Sequence, residues 1–154
     1  MIHVVYGTRA ELIKFSTLIR ELKRRKLPFK LIDTGDHDTS ELRNELNLPR
    51  PHHHFGKAPR GIWSTIIFPL AVSLTILWGL YVFARLLLVF FKEGKIIVYH
   101  GNTKIVPLVV FASKLLFFKK LLLVHYESGL RGNTKESRVF DFYSKIGDHH
   151  AHLL

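Results

Sequence analysis

The residues best suited to chemistry in this sequence stand in short polar loops that follow apolar runs. The first loop holds Gly7, Thr8 and Arg9 directly before a helical pattern. Backbone amides and the helix dipole at such a position attract an anion, and the Arg9 guanidinium adds a planar pair of donors. This arrangement suits a phosphate group. The structural alternative is that Thr8 only caps the helix and Arg9 is only solvated.

A second candidate is Glu127, which follows another apolar run and precedes Ser128, Gly129, Leu130 and Arg131. A carboxylate in a ligand-binding crevice can act as a general acid or base, and Arg131 would orient it or bind phosphate. The structural alternative is a loop ion pair between Glu127 and Arg131.

The remaining loops cover residues 34–38 and 100–103. The second of these reads HGNT, in which Gly101 allows the backbone to approach a ligand closely. Polar side chains there add hydrogen-bonding groups, so this loop is a third candidate for substrate contact.

The elements that must position these loops alternate along the chain. Apolar runs predict strands at 2–6, 29–33, 95–100 and 121–126, and helical spacing predicts helices at 11–24, 40–46, 103–118 and 136–146. Thr8 and Glu11 match a capping box, Pro107 falls in a first turn, residues 49–59 read as irregular, and residues 151–154 as the start of a last strand.

Alternating strands and helices with continuous apolar strands are typical of a parallel sheet covered on both faces. The sequence therefore predicts a single α/β domain with a doubly wound, Rossmann-like sheet over residues 1–154. Such sheets bind ligands at the carboxyl ends of their strands, which places all of these loops at one edge.

The amino-acid composition limits the classes of partner and of chemistry that this protein can have. The chain has 23 Lys and Arg against 12 Asp and Glu, a formal charge of +11, and no Cys. The charge indicates anionic partners such as acidic lipid or nucleotide phosphates; nucleic acid is disfavoured because no nucleic-acid-binding motif is present. The lack of cysteine excludes a disulfide framework and thiolate chemistry.

The apolar segment 62–91 carries no charge before Arg85 and is long enough to span a bilayer. It lies between two predicted strands of one sheet, so a simple crossing is disfavoured. We expect an in-plane or re-entrant membrane-associating insertion, with Trp63, Trp78 and Tyr81 at headgroup level; a helix buried against a partner domain is the alternative. The N-terminus lacks signal-peptide order, so the cytoplasmic face of the membrane is expected.

Histidines occur in two groups, at 52–54 and at 149, 150 and 152. Neither group has a cysteine or carboxylate partner at ligand spacing, so no metal site is expected. Solvated or headgroup-facing histidines are the preferred interpretation.

Four motifs together carry a family resemblance: GTRAELIK at 7–14, TGDH at 34–37, HGNT at 100–103 and HYESGLRGN at 125–133. Their order resembles the N-terminal half of UDP-N-acetylglucosamine 2-epimerases. That family resembles two-Rossmann-domain glycosyltransferases and holds UDP mainly in a second domain, which is not apparent in this chain. The resemblance implies UDP-GlcNAc as substrate, no added cofactor, and a second Rossmann-like domain or subunit as partner.

The family reaction eliminates UDP to give a glycal and then adds it back with C2 inverted, or hydrolyses the intermediate to ManNAc. The resemblance implies catalytic roles for Lys14, Asn102, Glu127 and Asp141. It implies substrate binding by Gly7, Thr8, Arg9, His37, His100, Gly101, Thr103, Ser128, Gly129 and Arg131. Asn102 stands where the family has aspartate, Asp141 approximates its Pro-Glu-Glu stretch, and Ala10 replaces a proline.

Two other functions stay open. A membrane-associated glycosyltransferase, or its anchoring subunit, would use a UDP-sugar and a lipid-linked acceptor, and it accounts for the apolar segment and for Asn102. A non-catalytic module that recruits a partner to the membrane is the third hypothesis.

Overall fold

A parallel five-stranded sheet between two layers of helices forms this protein. The computed structural model describes residues 1–59, 68–101, 103–126 and 137–152, with the backbone alone at 68, 69 and 137–141. The strands are β1 (Ile2–Tyr6), β2 (Phe29–Asp33), β3 (His53–His54), β4 (Ile96–His100) and β5 (Leu122–Tyr126). The helices are α1 (Arg9–Arg24), α2 (Ser40–Glu45), α3 (Phe68–Glu93), α4 (Ile105–Leu115) and α5 (Ser137–His150).

The strand order is β3-β2-β1-β4-β5, and every neighbouring pair is parallel. Val4 in the central strand lies between Leu31 of β2 and Val98 of β4. The order reverses between β1 and β4, as in a doubly wound sheet. The predicted Rossmann-like fold class is therefore confirmed.

Alternation along the strands divides the core into two layers, because successive side chains point to opposite faces. One layer packs α1 and α2 against the sheet, and the other packs α3, α4 and α5. The strand residues of the first layer include Val4, Leu31 and Val98; those of the second include Val5, Ile32 and Ile97.

Helix α1 begins at Arg9, two residues before its predicted start, and has the predicted capping box. The Glu11 amide donates to Oγ1 of Thr8 at 3.2 Å, and Oε2 of Glu11 accepts from the Thr8 amide at 2.9 Å. The helix buries Leu12, Phe15 and Ile19 on one side, which is the amphipathic pattern that the sequence predicted.

Helix α3 is the crossover connection between β3 and β4, so both ends of the apolar segment return to one sheet. Residues 70–93 are long and apolar enough to cross a membrane by length and composition alone. Leu86 and Phe90 are fully buried, whereas Leu77 and Leu80 are 61% and 60% exposed. The predicted headgroup position of Trp78 is wrong, because this ring is 8% exposed and packs in the core. Trp63 lies outside the described residues.

Several predicted boundaries differ from the structure. The stretch predicted as irregular contains β3, because Ile32 and Asp33 pair with His53 and His54. Helix α4 is shorter than predicted, with Pro107 in its first turn, and α5 extends to His150. Residues 151 and 152 are not a strand, although the His152 amide donates to Leu123 of β5 at 2.9 Å. Residues 153 and 154 of the predicted last strand lie outside the described residues.

Two histidines, His52 and His152, add hydrogen bonds to strands near opposite ends of the strand order, to β2 and to β5. The His52 amide donates to the Leu31 carbonyl at 2.9 Å, and Nδ1 of His52 accepts from the Leu31 amide at 3.1 Å. His152 makes the same pair of bonds with Leu123, at 2.9 and 3.1 Å. Each imidazole thus replaces a strand carbonyl. Within the described ranges, no three His, Asp or Glu side chains are grouped to hold a metal ion.

Candidate functional site

The carboxyl ends of β1 and β4 lie at the point where the strand order reverses. Helix α1 leaves β1 for one layer, and α4 leaves β4 for the other. Loops that diverge in this way open a crevice, which is the usual ligand site of such sheets. The predicted residues Gly7 and Thr8 enter this region from β1, and Gly101 and Thr103 enter it from β4.

Glu11 joins the two loops. Its Oε1 accepts a hydrogen bond from the Thr103 hydroxyl at 2.7 Å, and its Oε2 accepts from the Gly7 and Thr8 amides at 2.7 and 2.9 Å. Burial raises the pKa of the Glu11 carboxyl, while the bonds from Gly7, Thr103 and Thr8 oppose that rise. Sequence reasoning identified Glu11 only as a cap, because its bond to Thr103 spans 92 residues.

This carboxylate changes what the start of α1 offers to an anion. The Gly7 and Thr8 amides, on which the phosphate prediction relied, already donate to Glu11. A phosphate at this helix start would compete with Glu11 for them and would rely on the exposed Arg9. The helix start is therefore a junction between loops as well as a candidate anion contact.

Gly7 also packs against the loop after β2. Its carbonyl oxygen accepts from the His37 amide at 2.7 Å. A Cβ on Gly7 would lie only 2.3 Å from Oγ1 of Thr34, so the close approach of these two loops requires glycine. The structure thereby brings the predicted residue His37 to the same edge as Gly7.

An ion pair between the buried Asp36 and the partly exposed Lys104 spans the loops after β2 and β4. Oδ1 of Asp36, which is 4% exposed, lies 2.7 Å from Nζ of Lys104. The same ammonium group lies 4.8 Å from the centre of the Trp78 ring on α3. Lys104 therefore links two loops and a helix, and no sequence motif marked it because its partners come from distant segments.

Beside this edge, a cleft of about 460 Å³ opens between β3 and the loop after β2. Its lining combines the cationic and imidazole side chains of His37, Arg43, Arg50, His54 and Lys57 with the carboxyl groups of Asp33 and Asp38, and Nζ of Lys57 lies 2.8 Å from Oδ2 of Asp38. Asp33 is buried and accepts from the Gly35 amide at 2.9 Å and the Thr39 hydroxyl at 2.8 Å. Burial raises the pKa of Asp33. The basic lining suits an anionic group.

His125 on β5 also holds the loop after β4, which Glu11 contacts from α1. It is fully buried, and its Nδ1 lies 2.7 Å from Oδ1 of Asp148 on α5. Its Nε2 lies 2.7 Å from the Gly101 carbonyl oxygen, which can only accept, so Nε2 carries a proton and donates it. The ring stacks on Tyr99 with centroids 4.8 Å apart. Sequence reasoning quoted His125 within a motif but missed this role.

Of the other predicted residues, those that the structure describes lie at this edge and on the adjoining helices. His100 is 6% exposed and meets Phe15 edge-on at 5.7 Å, so its ring packs within the α1 layer. Lys14 is half-buried on α1. Asp141 lies on α5, with its side chain outside the described part. Asn102, Glu127, Ser128, Gly129 and Arg131 lie outside the described residues, the last four after Tyr126, which pairs with His100.

No protein-family model and no curated protein matches this sequence. Solved structures do match. The UDP-GlcNAc 2-epimerase from Methanocaldococcus jannaschii has a TM-score of 0.75 and 23% identity, over 99% of this chain and 38% of that chain. The same organism's enzyme in complex with UDP-GlcNAc and UDP has a TM-score of 0.68 and 22% identity, over 97% and 42%. The Neisseria meningitidis epimerase bound to UDP-GlcNAc has a TM-score of 0.73 and 17% identity, over 97% and 38%.

These matches confirm the predicted structural resemblance to UDP-GlcNAc 2-epimerases. Nearly the whole chain is covered, and the similarity supports a shared fold. The chain spans about two fifths of the length of the structures that it matches.

Proposed function

We propose that this chain is the first domain of a UDP-GlcNAc 2-epimerase-like enzyme and that turnover requires a second Rossmann-like domain or subunit. The observation that carries the proposal is the junction at Glu11, where its carboxylate holds Gly7, Thr8 and Thr103 together. Two of the motifs that carry the resemblance, at 7–14 and 100–103, thus meet where the strand order of the sheet reverses. The presence of UDP-GlcNAc in two of the matched structures supports a UDP-sugar as substrate.

The proposed reaction begins with removal of the proton at C2 of the sugar and departure of UDP from C1. The bond to the diphosphate oxygen breaks with its electron pair, and a C1–C2 double bond remains. Arg9 and Lys14 would stabilise the charge that develops on the departing diphosphate. Adding UDP back with a proton on the other face of C2 gives the epimer, and adding water instead gives ManNAc.

Proton transfer at C2 needs a carboxylate or another base. Asn102 carries an amide and cannot accept this proton, so we assign the transfer to Glu127, with Asp141 as the second carboxylate. The buried Glu11 serves a different purpose in this scheme, because its oxygens accept from two amides and a hydroxyl of the protein itself.

The test is proton NMR of UDP-GlcNAc in heavy water with the protein expressed from its full reading frame. We expect deuterium at C2 together with UDP-ManNAc, or free ManNAc with UDP. Glu127→Gln should abolish exchange, whereas Glu41→Gln, an exposed carboxylate on α2, should leave it unchanged. Exchange that persists in Glu127→Gln would contradict the assignment, and a lack of sugar binding would overturn the proposed function.

A second candidate is a membrane-associated glycosyltransferase, or its anchoring subunit, at the cytoplasmic face of the membrane. The apolar outer side of α3, where Leu77 and Leu80 are well exposed, favours it. Saturable binding of UDP-GlcNAc without exchange at C2, together with transfer of labelled GlcNAc to a lipid-linked acceptor, would support this candidate over the epimerase.

A further inference from the structure

The excess positive charge of this protein is concentrated in one stretch of sequence. Residues 46–126 contain ten Lys and Arg and a single carboxylate, Glu93. The rest of the chain has thirteen Lys and Arg against eleven Asp and Glu, so it is nearly balanced. Glu93 is itself paired with Lys30. The charged stretch is also the one that contains the two most apolar helices, α3 and α4.

The outer side of α3 is an exposed apolar stripe. Helical spacing places its members on one side of the helix, pointing away from the sheet. Each is at least half exposed: Leu70, Ile76, Leu77, Leu80, Leu88 and Phe91. A monomer in water rarely exposes so many large apolar side chains along one helix, so this stripe marks an interaction surface.

The stripe ends in an aromatic corner formed by Phe91, Phe117 and Phe118. Phe118 meets Phe91 edge-on with centroids 6.3 Å apart, and it meets Phe117 at 5.7 Å. Phe117 is 85% exposed. The corner lies where α3 and α4 end, next to the beginnings of β4 and β5. This is the opposite edge of the sheet from the candidate ligand-binding loops that follow β1, β2 and β4.

Lysines stand close to the aromatic corner along the chain. Lys119 bonds to the Phe91 carbonyl oxygen and lies 4.7 Å from the centre of that ring. Exposed lysines flank the three phenylalanines in sequence, at Lys92, Lys95, Lys114 and Lys120. Apolar side chains bordered by lysines complement a bilayer with anionic headgroups, because the rings enter the acyl boundary while the ammonium groups stay at the phosphates.

We propose that the outer stripe of α3 and the aromatic corner dock this protein onto an anionic lipid bilayer. The helix lies in the plane of the membrane and does not cross it, because both of its ends return to one sheet. The charge concentration selects an acidic lipid surface over an uncharged apolar partner. This docking does not depend on the sugar chemistry proposed above, and it places both the outer stripe of α3 and the aromatic corner against the lipid.

The test is flotation of the full chain with phosphatidylcholine vesicles that contain or lack about a third phosphatidylserine. We expect binding only with phosphatidylserine. The double variant Lys92→Glu with Lys120→Glu should bind at least about thirtyfold more weakly, because each lost lysine costs about 1 kcal/mol and each new glutamate repels the anionic headgroups. The matched control, Lys23→Glu with Lys26→Glu, reverses two exposed charges near the end of α1 and should lose no more than about threefold.

A second pair of variants tests the aromatic corner. Phe117→Ala with Phe118→Ala should weaken binding to the same vesicles about tenfold or more. Phe142→Ala, which removes an exposed ring from α5, should leave binding unchanged. Equal binding to both vesicle types would overturn the proposal. An absence of vesicle binding would also overturn it, and a dimer that the Phe117→Ala and Phe118→Ala pair dissociates would then show that a second copy covers this surface.

Discussion

The two helical layers bury similar cores but present opposite surfaces. Helix α1 places Phe15 and Ile19 against the sheet and turns charged side chains such as Lys23 and Arg24 outward. Helix α3 places Leu86 against the same sheet and yet keeps apolar residues on its outer side. The buried side of a helix therefore determines how the helix packs in the fold, whereas its outer side is matched to the solvent, lipid or partner that it contacts.

The largest expected effect tests whether the two layers are equally well packed. Phe15→Ala and Leu86→Ala each remove a fully buried side chain. We expect losses in the free energy of unfolding of about 4 and about 3 kcal/mol, because each leaves a cavity. Urea denaturation monitored by circular dichroism measures both. A loss below about 1 kcal/mol for Leu86→Ala would show that the α3 layer packs more loosely than the α1 layer.

The layers also differ in the ionisable group that each buries. On the α3 side, burial lowers the pKa of His3 to about 4, opposed by Glu93 and reinforced by His53 and Lys30. The folded protein then binds fewer protons than the unfolded chain, so stability should fall by about 3 kcal/mol as pH drops from 6.5 to 4. Urea titrations across this range should show a shallower fall for His3→Phe. An unchanged slope would contradict this account.

Glu11, in the α1 layer, makes stability depend on pH in the opposite direction. Burial raises its pKa above the ordinary value of 4.5, so the folded state holds its proton more tightly than the unfolded chain does. Its contribution to stability is fully present below pH 4.5 and is lost as pH rises through the folded pKa. Glu11→Gln can still accept from Gly7 and Thr8 and can donate to Thr103. In urea titrations, the free energy of unfolding of this variant should not show the fall with rising pH that Glu11 causes. If the fall persists in the variant, Glu11 is not its cause.

The smallest effect concerns the outer sides. Ile13→Ser on α1 and Leu77→Ser on α3 replace side chains that are 51% and 61% exposed. Each should change the free energy of unfolding by less than about 0.5 kcal/mol. Binding of a hydrophobic dye should fall for Leu77→Ser and stay unchanged for Ile13→Ser, because only Leu77 belongs to a continuous apolar stripe. Equal responses would remove the contrast between the layers.

Much of the fold could be predicted because its signals are local. The strand at Ile2–Tyr6, the capping box at Thr8 and the amphipathic pattern of α1 each depend on residues within a few positions. The two-residue strand at His53–His54 could not be predicted, since it exists only through its pairing with β2. The position of Trp78 was predicted wrongly because the apolar segment has hydrophobic residues on all sides, so its composition does not reveal which side of the helix meets the core.

The sequence by itself determined the alternation of strands and helices, the concentration of positive charge around α3 and α4, and the motifs that resemble the epimerases. Only the tertiary structure decided that Glu11 binds Thr103, that Lys104 pairs with Asp36, and that His125 donates to Gly101. The reason is physical: periodicity and charge follow from neighbours along the chain, whereas these contacts join segments that meet only when the sheet is assembled.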